Sequence, residues 1–511
     1  MSELLLGIDI GSYSSKGLLC RTDGAIIAEA RVPHEISFPK PGYAEHDAEK
    51  VWWHDFSFLS RELVKKVPTY DRIIAVGVSG VGPCILPVDN FGKPLRQAIL
   101  YGIDTRSANQ IEYLENFYTK AALLEFGGTR LNSQSAGPKI LWIKQNEPDI
   151  YQQTNKFITS TTFIIHKLIG RYVIDMHTAA FFNPLFNISS MKWDTKYANE
   201  IVDIDKLPDL GWSDEIAGTI TTAAAQETGI PEGIPVTYGA VDGLAEATSV
   251  GVITPGDLMI MYGSTAGFYL PIEKPQPTNE LWLLAGALKN QVALGGGLAT
   301  SGAATTWFRN QFGRDLLGKE TETGTNAYTA LAMEAASSPP GANGLLMLPY
   351  LSGERTPIFD TKARGVFAGL TLSHTRGDMY RALLEGTAYA IRSNLDAMRK
   401  SGAELDQIIA VGGGTLNDLW LQIVSDVCGI SQIVPEKTIG ACYGDAFLAG
   451  LAVGAVGGIK ALKRDWVKNA KEIKPVTGRK PFYDQYYQLF GELYTLSREV
   501  IHRLADLQGK F

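Results

Sequence analysis

The first turn of the chain, Gly7-Ile8-Asp9-Ile10-Gly11-Ser12-Tyr13-Ser14-Ser15-Lys16, gathers an acid, a base and several hydroxyls at the end of an apolar run. Backbone amides can approach phosphate oxygens in such a turn, because glycine removes the Cβ obstacle and permits unusual dihedrals. Gly11, Ser12 and Ser14 suit a γ-phosphate, Lys16 offsets its charge, and Asp9 at the strand end is placed to hold Mg²⁺ through water. Gly263-Ser264-Thr265 is a second turn of this kind, suited to β- and γ-phosphates. Gly412, Gly413 and Gly414 would let a nucleotide lie flat against the backbone, with Asn417 opening the next helix near the base. A fourth turn, Gly295-Gly296-Gly297, suggests no role. No GxxxxGK[ST] loop occurs, and no GxGxxG fingerprint follows a strand. One glycine-rich turn is more often structural than functional; several at these separations point to a bound nucleotide.

Phosphoryl transfer to an alcohol also needs a base. Asp242, in Gly239-Ala240-Val241-Asp242-Gly243, follows a predicted strand and precedes a helix of small residues. It could accept a hydroxyl proton, or act as an ordinary helix N-cap; spacing leaves both open. Asp104, in Tyr101-Gly102-Ile103-Asp104-Thr105-Arg106, could hydrogen-bond two sugar hydroxyls or cap a helix starting near Arg106.

The elements that must position these residues are legible in outline. Leu4–Ile10 and Lys16–Arg21 read as a hairpin, and Asp23-Gly24 turns into a third strand at Ala25–Val32. Apolar spacing predicts a helix over Ala48–Lys66 and a buried strand over Ile73–Val78. Residues 105–210 read as mostly helical. Leu258–Tyr262 then repeats the strand-into-turn device, which suggests two similar α/β halves with a seam near residues 243–256. Ile408–Val411, a helix from about Asn417 to Cys428, and a long tail helix over Phe482–Leu507 complete the outline.

Composition narrows the function class. A chain of 511 residues predicts two large domains. Its 45% hydrophobic and 20% charged content is that of a globular protein, and a net charge of −7 lacks the basic field that nucleic-acid backbones demand. Four scattered cysteines without CxxC spacing predict reduced thiols rather than disulfides or zinc. No signal peptide or membrane-spanning run is evident, so a cytoplasmic protein without membrane partners is expected.

Taken together, these motifs resemble those of the FGGY carbohydrate kinases, in the actin–hexokinase–Hsp70 superfamily, over roughly residues 3–500. GIDIGSYSSKGLL (residues 7–19) is similar to the family's first phosphate motif, and Asp104 with Arg106 to its D-x-R-[ST] element. Lys139-Ile140-Leu141-Trp142 is similar to the first signature, and Gly365–Leu370 with Asp378 and Glu385 to the second. Gly412–Gly414 with Asn417 resembles the adenosine motif, and Gly440–Gly450 the interdomain helix. The resemblance implies an α/β fold of two RNase H-like, actin-like ATPase domains flanking a central cleft. It divides the chain into 1–247, carrying the sugar and the base, and 248–511, carrying the nucleotide. It implies ATP and Mg²⁺ as cofactors, Asp242 as catalytic base, Asp9 near the metal, and a small sugar or polyol as substrate; a homodimer is compatible with it. The sugar pocket departs from better-known members. Gly80-Val81-Gly82-Pro83-Cys84 stands where xylulokinases carry Gln-Met-His-Gly, and Gly102, with Tyr101 beside it, replaces the usual aromatic. Gly82, Pro83, Tyr101 and Asp104 are therefore the candidate substrate contacts, with a ketopentose favoured over another polyol, a deoxy sugar or a sugar acid. The competing expectation is a nucleotide-gated binding or regulatory protein on the same scaffold.

Overall fold

The computed structural model describes residues 2–69, 71–275, 278–324, 326–436 and 438–508. The chain forms two compact units that interleave in sequence. The first comprises Met1–Ile253, Pro271–Ala293 and Thr438–Lys468; the second comprises Thr254–Leu270, Leu294–Lys437 and Asn469–Phe511.

In the first unit, β1 (Glu3–Ile10), β2 (Ser14–Arg21) and β3 (Ile26–Pro33) form an antiparallel meander. Helix α1 (His54–Val64) follows one π-helical turn at Ala48–Trp53, where the sequence predicts a single helix. β4 (Arg72–Gly80) then runs parallel to β1. After α2 (Ser160–Ile169), β5 (Ile216–Thr219), β6 (Pro235–Thr237) and β7 (Ala240–Val241) complete a sheet of order β5-β6-β4-β1-β2-β3, with β7 paired to β4. Helix α3 starts at Asp242 and ends at Ser249.

The second unit repeats this plan. β8 (Asp257–Tyr262) and β9 (Ala266–Ile272) form an antiparallel hairpin, and β10 (Val292–Leu298) lies beyond β9. Helices α4 (Gly302–Phe312) and α5 (Arg376–Lys400) precede β11 (Gln407–Val411), which is parallel to β8. Helix α6 (Asp418–Cys428) leads to β12 (Gln432–Pro435), parallel to β11. The order β10-β9-β8-β11-β12 matches β3-β2-β1-β4-β6, and beyond β6 and beyond β12 lies one further antiparallel strand. The duplication suggested by two strand-into-turn devices is thus a duplication of whole sheets.

Helix α7 (Ala441–Ala452) belongs to the first unit although it comes late in the chain. Period-two alternation explains its seat. Leu4, Leu6, Ile8 and Ile10 of β1 join one core with α1 and α2, while Leu5 joins Cys442, Ala446 and Ala449 in another. The α7 side of the sheet therefore carries Leu5-Gly7-Asp9 on β1 and Ala75-Gly77-Ser79 on β4. The two glycines let the helix lie flush: a Cβ on Gly7 would fall 1.9 Å from the Cys442 carbonyl oxygen, and one on Gly77 2.1 Å from that of Asp445. The tail of the chain is one helix, Arg479–Leu507, as its spacing predicts. No helix among the described residues is long and apolar enough to cross a membrane.

Candidate active site

Strand register assembles the acidic centre of the first unit. Asp9 pairs with Ser79 and Ile10 with Gly80 across β1–β4; Ser79 pairs with Ala240 and Gly80 with Val241 across β4–β7. Asp242 follows at once, at the carboxyl ends of three parallel strands, where open α/β sheets place their ligands. The bend before it needs Gly239, whose φ is +76° and whose Cβ would lie 2.6 Å from the Val78 carbonyl oxygen. Thr161 Oγ1 donates to the Ala240 carbonyl at 2.9 Å and Ser160 Oγ to that of Val81 at 2.7 Å, fixing both strand ends.

Asp242 is the first residue of α3, with Val241 as N-cap, and its Oδ1 accepts the Gly243 N–H at 2.8 Å. Burial first, and then the charges of Asp9 and Glu246, push its carboxyl from 3.8 up to about 8 against that amide. Glu246 lies one turn along the same helix face; burial and Asp9 raise it to about 7, opposed by Lys16. Asp9 itself rises to about 6 through burial, opposed by Ser79, Lys16 and His34. Lys16 and Glu246 meet at Gly440, where a Cβ would sit 3.5 Å from Lys16 Nζ and 3.6 Å from Glu246 Oε2. Asp242 and Glu246 are only half-buried, so they remain reachable.

The first hydroxyl-rich turn is pinned from behind. His34 Nε2 donates to the Gly11 carbonyl at 3.0 Å, its Nδ1 lies 2.8 Å from Asp55 Oδ2, and its backbone N–H donates to Tyr13 O at 3.0 Å. Ser15 Oγ donates to the same Asp55 oxygen at 2.8 Å. Ser12 Oγ donates to the Tyr101 hydroxyl at 3.2 Å. Ser14, Lys16 and Gly11 stay partly accessible, and Tyr13 projects into solvent.

The candidate substrate contacts divide. Tyr101 is half-buried against Ser12; burial raises its phenol, and the charge of Asp242 adds to that. Gly82 packs on the end of β7: a Cβ there would lie 2.8 Å from Val241 Cγ2, and Pro83 beside it is buried. Asp104 is different. It is fully buried, with Oδ1 accepting from Arg106 N at 3.1 Å and Oδ2 from Ala44 N at 2.7 Å and Arg106 Nη2 at 2.7 Å. Arg106 bridges on to Glu45, and the following helix begins only at Ala108. The expectation that Asp104 reads sugar hydroxyls therefore meets a carboxylate already committed to a buried ion pair. Lys139 of the first signature is also internal; its Nζ donates to the Leu100 and Tyr101 carbonyls at 2.6 and 2.8 Å, and burial lowers it to about 8.

In the second unit, Ser264 and Thr265 are exposed while their turn is tied to α4: Gly302 N–H donates to Gly263 O at 2.8 Å, and Ser301 and Ala303 N–H to Ser264 O at 2.9 and 3.0 Å. Gly412 has φ +91°, with Tyr262 O only 2.8 Å from where its Cβ would be, while Gly413 faces open space. Gly414 packs on Tyr262 and Trp420. Asn417 caps α6, its Oδ1 accepting Trp420 N–H at 3.1 Å. The fourth glycine run lies inside β10, where Gly296 leaves room for the Thr356–Asn394 hydrogen bond of 2.6 Å. Asp378 and Glu385 of the second signature are structural, in a capping box and in a buried pair with Arg381.

Sequence reasoning missed Ser79, Glu246, His34, Asp55 and Asp445. The Asp242–Glu246 spacing of four and the alternation that puts Ser79 on the Asp9 face were available signals; nothing local pointed to the others. Three mutually repelling carboxyls beside one lysine suit a divalent cation, which would relieve the charge that raises them. Among the described residues no three His, Cys, Asp or Glu side chains converge as direct metal ligands. That donor set fits Mg²⁺, which keeps several waters and takes substrate phosphates as ligands.

Duplicated sheets of this topology, each with a glycine- and hydroxyl-rich turn in its opening hairpin and one with acidic side chains at its strand ends, place the chain in the actin-like fold class. Comparison with known proteins makes the class specific. Residues 4–249 match the N-terminal domain of the FGGY family of carbohydrate kinases and residues 258–453 its C-terminal domain; the chain belongs to that family. It is 26% identical to the xylulose kinase of Staphylococcus xylosus over 96% of this chain and 99% of the relative. It is 31% identical to glycerol kinase 2 of Streptomyces coelicolor over 91% and 92%. The solved structure of xylulose kinase from Rhodospirillum rubrum superimposes with a TM-score of 0.91 at 28% identity, covering 98% of this chain and all of that one.

Proposed function

We propose that this carbohydrate kinase transfers the γ-phosphoryl group of ATP, as its Mg²⁺ complex, to a hydroxyl of a ketopentose, with xylulose as the first candidate. The observation that carries the reading is Asp242, half-buried at the strand ends beside Asp9 with its carboxyl raised to about 8. A base working near neutral pH needs a pKa in this region. Asp242 accepts the proton of the sugar hydroxyl as that oxygen bonds to the γ-phosphorus and the bond to the β–γ bridging oxygen breaks, releasing ADP. The bound nucleotide and cation supply the phosphoryl group and the positive charge that stabilises the leaving diphosphate.

Asp9 would hold Mg²⁺ through water, and Lys16 with the amides and hydroxyls of Gly11, Ser12 and Ser14 would face the phosphates. In the second unit, Gly263, Ser264 and Thr265 would take the phosphates, and Gly412, Gly413, Gly414 and Asn417 the adenosine. Tyr101, Gly82 and Pro83 would wall the sugar beside Asp242. Asp104, held by Arg106 and Ala44, would serve the stability of the unit and leave sugar reading to its neighbours. The similarity to xylulose kinases over nearly the whole chain supports the substrate. The apolar stretch Val81–Cys84 supports a pocket with fewer polar contacts to the sugar. A coupled ADP-release assay over ketopentoses, polyols, deoxy sugars and sugar acids tests it: xylulose should give the highest kcat/KM, and a higher value for gluconate or glycerol would replace the ketopentose with that class.

A further inference from the structure

Ser79 Oγ lies 2.6 Å from Asp445 Oδ2 and 3.1 Å from Asp9 Oδ1. A hydroxyl carries one proton and two acceptor sites, and an ionised carboxylate only accepts. Two ionised aspartates would therefore leave one of these contacts without a hydrogen. A second proton, on one of the two carboxyls, satisfies both contacts.

Their surroundings decide which. Asp445 is 1% exposed, its Oδ1 is buried without a partner, and no ion pair reaches it among the described residues. An ionised group so placed is strongly disfavoured, whereas a neutral acid tolerates one unpaired oxygen at far smaller cost. Asp9 instead faces Lys16 across the hairpin and has His34 nearby. Burial first, with the charges of Asp9 and Asp242, drives the Asp445 carboxyl well above its ordinary range against the side chain and backbone of Ser79.

We propose that Asp445 is a positioning residue: a neutral carboxylic acid that donates to Ser79 Oγ, so that the single Ser79 proton is directed at Asp9 Oδ1 and holds that carboxyl in place. The role assigned to Asp9 rests on the kinase reading above; the protonation of Asp445 does not. Gly77 and Gly7 make the arrangement possible, since they bring α7 close enough for a helix side chain to reach between two strands.

The test has a spectroscopic arm and a kinetic arm. Infrared difference spectra between the wild-type protein and Asp445→Asn at neutral pH should lose a protonated-carboxyl C=O band; loss of carboxylate bands instead would overturn the proposal. That readout needs no turnover, so it stands apart from any failure of the kinase assignment. In the kinetic arm, Asp445→Asn keeps a donor toward Ser79 and should recover most of the kcat/KM that Asp445→Leu loses. Ser79→Ala should raise the Mg²⁺ concentration for half-maximal rate about tenfold, the effect of losing one hydrogen bond to a charged group. Should Asp445→Leu fail to fold, the asparagine and alanine variants carry the comparison. An asparagine variant as impaired as Ser79→Ala would show that a negative charge at position 445 is what matters, and would overturn the proposal.

Discussion

Asp9 and Lys16 are direct cross-strand partners in the β1–β2 hairpin. Lys16 opposes the upward drift of both Asp9 and Glu246 and is the cation that offsets this acidic centre. Lys16→Met should therefore do more than weaken phosphate binding. Asp9 and Glu246 should rise further, so the Mg²⁺ response should weaken at the acid end of the pH profile while the KM for nucleotide increases. A raised KM with an unmoved pH profile would limit Lys16 to phosphate contact.

The pH dependence has a definite sign. Folding raises Asp9, Glu246 and Asp242 to about 6, 7 and 8. Raised acids favour the folded state fully below their unfolded values, and that contribution is lost as pH climbs through the folded ones. Stability should fall from mildly acidic to alkaline pH, whereas kcat/KM, which needs an ionised base, should rise over the same range. Asp242→Asn should raise the melting temperature, and more near about pH 9 than near about pH 5. Thermal scans at the two pH values check this; equal shifts would mean that Asp242 titrates normally.

Asp104→Asn separates a structural from a substrate-reading aspartate. Removing one partner of a buried ion pair costs about 3–5 kcal/mol, so chemical denaturation should show a loss of that order with the KM for sugar unchanged in the folded fraction. A large rise in sugar KM without loss of stability would return Asp104 to the sugar pocket.

Gly77→Ala would place a Cβ 2.1 Å from the Asp445 carbonyl oxygen. The helix or strand must shift, at a cost of about 1–3 kcal/mol or more. A lowered melting temperature together with a weaker Mg²⁺ response is expected, because the same shift pulls Asp445 away from Ser79. Unchanged stability would show that α7 is not seated as described.

The hairpins, β8 and the tail helix were legible because alternation and turn residues are local signals. The doubled sheet was foreshadowed only by its two opening turns, since strand order depends on pairings far apart in sequence. The same separation hid Ser79, which lies 70 residues from Asp9 and 366 from Asp445. The partners of Asp104 were hidden for a related reason: its contact with Arg106 is local, but the Ala44 amide and the Glu45 carboxylate that complete the cluster lie some sixty residues earlier. Spacing leaves Asp242 open between base and cap; in the structure Val241 is the N-cap, and Asp242 is the first helical residue with the Gly243 amide on one oxygen.

Coupled ADP release from ATP, Mg²⁺ and xylulose, comparing the wild-type protein with Asp242→Ala, decides whether Asp242 is the base of a sugar kinase. Sugar-dependent turnover is expected of the wild type, and a loss of about 10²–10⁴-fold in kcat of the variant, with nucleotide binding retained. Comparable turnover by Asp242→Ala, or no stimulation of the wild type by any sugar, would contradict that role.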